Sequence, residues 1–139
     1  MKKIIALVLL SLASTAQSTV LLERVKVPGN INNALSESCT ISDKGLLTQT
    51  YKVSDMSSKR TRTLVVSNSS VLSKIDLAAP GNTHFFMLPD VGGTIYRAYQ
   101  KQADKTLKSI ILNLDEGSFS INDINADALM KFIDINCDH

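Results

Sequence analysis

The sequence predicts a small α+β fold: a mostly antiparallel sheet of about six to eight short strands, with two helices packed on one face and one disulfide. Three observations carry this. Short β-rich segments follow one another across turn residues, so sequence neighbours join as hairpins. Only two stretches, 70–79 and 125–137, repeat their apolar residues at helical spacing. And the two cysteines, Cys39 and Cys137, each fall on an apolar face.

The chain opens MKKIIALVLLSLASTAQS. Lys2 and Lys3 precede an apolar run from Ile4 to Ala13, and small residues follow, which is the pattern of a bacterial-type secretory signal peptide over 1–18. The run is about half the ~20 residues that a spanning helix needs. Residues 19–139 then form a single domain, because no Pro-rich, Gly-rich or single-charge stretch marks a linker. The full chain holds 15 Lys+Arg against 13 Asp+Glu, and loss of Lys2 and Lys3 leaves a neutral remainder. Neutrality gives no electrostatic reason to expect nucleic acid or an anionic membrane as partner. The charge is segregated along the chain, however, with 44–108 basic and 109–139 acidic.

Val25 and Val27 share one face of the first strand, TVLLERVKV (19–27), which Pro28-Gly29 ends. In SESCTIS, Cys39 and Ile41 alternate with polar residues and face inward. LLTQTYKV (46–53) alternates in the same way, and SDMSSK links it to RTRTLVVS (60–67) as a loose hairpin. Ser69 or Ser70 caps a helix whose Val71, Leu72, Ile75, Ala78 and Ala79 share a face, and Pro80-Gly81 stops it. The four apolar residues Phe85 to Leu88 read as a strand buried on both faces. TIYRAYQ (94–100) and TLKSIILNL (106–114) form a second hairpin, and Asp115-Glu116-Gly117 turns into SFSI (118–121). In the last helix Leu129, Ile133 and Cys137 recur every four residues. Asn125 is its N-cap, and Asp127, Asp134 and Asp138 lie opposite, on a solvated surface where Lys131 pairs with Asp127 and Asp134; the alternative is an acidic docking face for a basic partner.

Two inward cysteines in an exported domain form one disulfide, Cys39 to Cys137. A zinc site of Cys39, His84, Cys137 and His139 has the right residue types but not the spacing, and no metal is expected. No phosphate-binding Gly-rich loop, dinucleotide fingerprint, haem motif or G-x-S-x-G is present, so no cofactor is expected.

Absence of catalytic motifs points to a small exported binding protein, an inhibitor or envelope-associated module, with a protein as partner. Two segments are the candidate partner-binding residues. Lys59, Arg60 and Arg62 form a basic knot, and Leu88, Pro89, Asp90, Gly92 and Gly93 belong to a loop of apolar residues beside Pro and paired Gly. The alternatives are a periplasmic hydrolase using His84 and a self-associating envelope component.

Overall fold

The computed structural model describes residues 17–27, 35–53, 55–65, 67–85, 93–114 and 119–139. In chain order the elements are β1 (Val20–Val27), β2 (Leu35–Ser42), β3 (Leu46–Val53), β4 (Met56–Thr63), α1 (Asn68–Ala78), β5 (Asn82–Phe85), β6 (Gly93–Lys101), β7 (Leu107–Leu114), β8 (Phe119–Asn122) and α2 (Ile124–Cys137). All eight strands lie in one sheet in the order β4-β3-β2-β1-β6-β7-β8-β5, and every neighbouring pair is antiparallel. The first four strands meander outward from the centre to one edge. β6 starts again beside β1, and β7 and β8 step outward to the other side.

Alternation along the strands sorts the residues into two faces. On one face Leu22 and Arg24 of β1 are buried, as are their neighbours Cys39 and Ile41 on β2, Leu47 and Gln49 on β3, and Ala98 on β6. The two helices cover this face. α1 contributes Val71, Ile75 and Ala78, and α2 contributes Ala126, Leu129, Ile133 and Cys137. Each buried Leu or Ile side chain stabilises the fold by roughly 1.5–3 kcal/mol. The other face carries Glu23, Thr40, Thr48 and Thr61 in one cross-strand row and Val25, Ser38, Thr50 and Lys59 in the next. Threonine suits such a solvated, pleated surface because its branched side chain fits the pleat while its hydroxyl meets water.

The α+β architecture, the two helices on one face and the Cys39–Cys137 bond agree with the sequence reading, and several details differ. β4 begins at Met56 rather than 60, because Val53 pairs with Met56 and Lys52 with Ser57 across a tight turn. The Ser-rich SDMSSK has a loop composition, but a polar strand is stable at a sheet edge. β5 covers 82–85 and forms one edge of the sheet; residues 86–88 of the strand expected to be buried on both faces lie outside the described residues. The N-cap of α1 is Ser67, with no side-chain cap bond. That of α2 is Asp123, two residues before Asn125, and its carboxylate accepts from the amides of Asn125 at 2.7 Å and Ala126 at 3.4 Å. Gly45 sits at φ +70 in the β2–β3 turn, where a Cβ would come 2.6 Å from the Leu64 carbonyl oxygen. Among the described residues no helix is long and apolar enough to cross a membrane.

Candidate functional site at a basic sheet edge

β4 reads MSSKRTRT, and every one of its residues is exposed. It pairs with β3 on one side and ends the sheet on the other. The Leu64 amide donates to the Gly45 carbonyl at 2.7 Å, which fixes the parity of the ladder. Carried along the same register, pairs 62, 60, 58 and 56 bond to β3, so the backbone groups of Ser57, Lys59, Thr61 and Thr63 point outward. Side chains alternate between the two faces with the same period. Arg60 and Arg62 project on the helix-covered side, and Lys59 projects on the open face with Thr61. The basic knot read from the sequence is therefore divided between two faces. The side chains of Lys59 and Arg60 have no hydrogen-bond or ion-pair partner among the described residues.

The C-terminus of α2 is docked beside this edge. Four consecutive strands each contribute to holding it. Arg24 of β1 holds the Asp134 and Asp138 carboxylates, Cys39 of β2 is bonded to Cys137, Gln49 of β3 donates to the Cys137 carbonyl, and Arg62 of β4 donates to the Asn136 carbonyl. Register explains the convergence, since Arg24 lies opposite Cys39 and Cys39 opposite Gln49. The carbonyls of a helix's last turn have no partner within the helix and carry its negative end, so Gln49 and Arg62 satisfy them from outside. A shallow cleft of about 220 Å³ opens here, lined by Leu47, Gln49, Arg60, Thr61, Arg62 and His139.

Among the described residues Arg24 is the charged residue that the fold buries, with 1 % of its surface exposed. Nη1 lies 2.7 Å from Asp134 Oδ1, and Nη2 lies 2.9 Å from Glu37 Oε1 and 2.8 Å from Asp138 Oδ1. Burial works against its charge, but the hydrogen bonds it donates to Asp138, Asp134 and Glu37 outweigh it and raise the pKa. Asp138 is held below the usual carboxylate range, chiefly by its bond from Arg24. Tyr96 donates to Asp134 at 2.8 Å and is pushed up to about 12, first by burial and then by that bond. Asp134 and Asp138 thus turn toward the sheet, contrary to the solvated, Lys131-paired stripe the sequence suggested. They flank the buried stripe at one turn's spacing, which a coarse helical count assigns to the outer side.

Of the loop residues, Leu88, Pro89, Asp90 and Gly92 lie outside the described residues, and Gly93 opens β6 opposite Val27. His84 is on β5, at the edge of the sheet far from β4, with its backbone opposite Ser120. The Cys39 and Cys137 sulfurs are joined in one disulfide, and no described cysteine is free. Among the described residues no three His, Cys, Asp or Glu side chains converge as metal ligands. Arg24 and Gln49 are the residues around this site that the sequence reading missed. The available signal was two aspartates more than the lone Lys131 of that helix could pair, with an arginine waiting in an apolar strand. Comparison with known proteins finds no matching family model, no matching curated protein and no matching solved structure.

Proposed function

We propose that this chain is an exported, non-enzymatic binding protein that takes its partner at the β4 edge. The observation that carries the reading is an eight-residue edge strand, exposed along its whole length, with three cations on it and a disulfide-tied helix end behind it. Long exposed edges invite pairing, so one that is well supported yet open is a binding surface waiting for a strand or a charged face. Docking of α2 by β1 through β4 makes the edge rigid, which keeps the ordering cost of binding low.

Export has separate support. The leader over 1–18 fits a signal peptide, and a disulfide fits an oxidising compartment. Thr19 is also where the fold takes hold. Its nitrogen donates to Asp43 Oδ1 at 2.9 Å and its carbonyl accepts from the Asp43 amide at 2.8 Å. A cut after Ser18 would turn that nitrogen into an ammonium already facing a carboxylate.

Two measurements test the reading. The mass of the protein from the exported fraction should lack residues 1–18 and two thiol hydrogens; a full-length mass or free thiols would remove the export half. Immobilised wild type should then retain a partner from that fraction which a Lys59→Glu, Arg60→Glu variant does not retain. Equal retention by both, or none by either, overturns the assignment of the edge.

A further inference from the structure

β4 offers more than positive charge. Its outward amides and carbonyls belong to Ser57, Lys59, Thr61 and Thr63, spaced as a template for one more strand. At its start Met56, 74 % exposed, lies in register with Val53 and Leu35, and Tyr51 completes a shallow apolar hollow on the helix-covered side. Basic side chains and an apolar hollow therefore stand at fixed intervals along one open ladder.

A second copy of the chain fits this edge badly. The two antiparallel registers that overlap most of β4 with its twin set Arg60 against Arg60 or Lys59 against Lys59. Like charges directly opposite one another destabilise a strand pair. A partner with carboxylates at those positions gains where the twin loses.

We infer that β4 accepts an extended acidic peptide segment of another protein as a ninth, antiparallel strand. The inference rests on β4 being the binding edge. Antiparallel addition continues the pattern of the sheet, whose pairs are all antiparallel. It also sets the sequence of the guest. Running past β4 in the opposite direction, the guest meets Arg62, then Thr61, Arg60 and Lys59, and three positions later Met56. Its carboxylates therefore read Glu-x-Glu-Glu, followed by x-x-Leu or another large apolar residue. The carboxylates at positions one and three share the side of Arg60 and Arg62, the one at position four faces Lys59, and the apolar residue lands on the hollow. Backbone hydrogen bonds supply most of the affinity, and the exposed ion pairs supply register and selectivity, since each contributes only about 0.2–1 kcal/mol.

The probe is a labelled synthetic peptide carrying Glu-x-Glu-Glu-x-x-Leu with Thr and Val at the remaining positions, followed by fluorescence anisotropy on the full chain. Controls are the same peptide with Lys for Glu, the same peptide N-methylated at alternate backbone nitrogens, and heparin as a polyanion without a peptide backbone. The expected result is saturable binding of the Glu peptide alone, weakened at least about tenfold by N-methylation, by Lys59→Glu with Arg60→Glu, and by Thr61→Pro. Thr61→Pro removes an outward amide and leaves every cation in place, and circular dichroism verifies that each variant is folded. Binding that survives N-methylation, or that heparin matches, overturns strand addition and leaves a simple anion-binding surface. If neither peptide binds while the exported-fraction partner is still retained through Lys59 and Arg60, the acidic strand is wrong and the edge assignment stands. If retention is lost as well, both fall.

Discussion

Arg24 shows how a charged side chain becomes core material. Taking a guanidinium out of water costs several kcal/mol unless charge and hydrogen bonds are returned to it. Glu37 comes from the neighbouring strand, while Asp134 and Asp138 come from more than a hundred residues away. A strand reading based on hydrophobicity set Val25 and Val27 together, because nothing local reveals carboxylates so distant. Replacing Arg24 by Met fills the space but leaves those carboxylates facing one another with Lys26, 3.7 Å from Glu37 and Asp138, as the cation in range. We expect Arg24→Met to lower stability by about 3 kcal/mol, the low end for a broken buried pair, since Asp134 and Asp138 can rehydrate. The pH dependence follows from the depressed pKa of Asp138. Its bond stabilises the fold above the unfolded-state value, about pH 3.9, and that stability is lost as the pH falls through the lower folded-state value. Urea midpoints measured at intervals from neutral pH into acid should drop for wild type and vary less for Arg24→Met. Parallel curves would show that the cluster does not set the acid sensitivity.

Among the elements, α2 was the most legible in the sequence, because its buried residues Leu129, Ile133 and Cys137 repeat at helical spacing. Periodicity does not show caps, and Asp123 went unread because its neighbour Asn125 looks equally capable. Asp123→Ala should cost about 1 kcal/mol, measured by chemical denaturation, through two lost amide bonds at the helix start. The other end of α2 depends on long-range ties, of which the disulfide closes a loop of 98 residues. Cys39→Ala together with Cys137→Ala should lower stability by about 2–5 kcal/mol. Hydrogen exchange should then show residues 134–137 losing protection before the sheet, since only the side-chain contacts of Gln49, Arg24, Arg62, Tyr96 and Lys26, among the described residues, then hold that turn to the sheet. Uniform loss across the domain would mean that the bond acts only on the unfolded chain. β4 was half-read for the opposite reason: its polar residues carry no period that a core would impose, and only pairing with β3 defines where it begins.

At the scale of the molecule, the sequence conveyed a single antiparallel sheet with two helices on one face, because hairpin spacing and apolar periodicity are local signals. Strand order is not local. The pairing of β1 with β6, and of β5 with β8, depends on long-range packing that no short stretch records. Tyr51 and Tyr99 sit on opposite faces of the sheet, Tyr51 beside Glu37 and Tyr99 bonded to Glu23 at 2.9 Å. The sheet's two edges also differ: among the described residues β5 spans four and β4 spans eight. A short edge offers little template, whereas β4 is long enough to pair with a copy of itself unless its charges forbid it. This yields a prediction for the whole protein. Lys59→Thr with Arg60→Thr removes the like-charge clash in both favourable registers and leaves the β-propensity of the strand intact or higher. The double variant should self-associate with rising concentration in sedimentation velocity, while the wild type stays monomeric over the same range. Adding Thr61→Pro should return the variant to monomer, because association through β4 needs the outward amide of residue 61 and association through any other surface does not. A wild type that already dimerises, or a double variant whose association survives the proline, would show that these cations do not guard the edge.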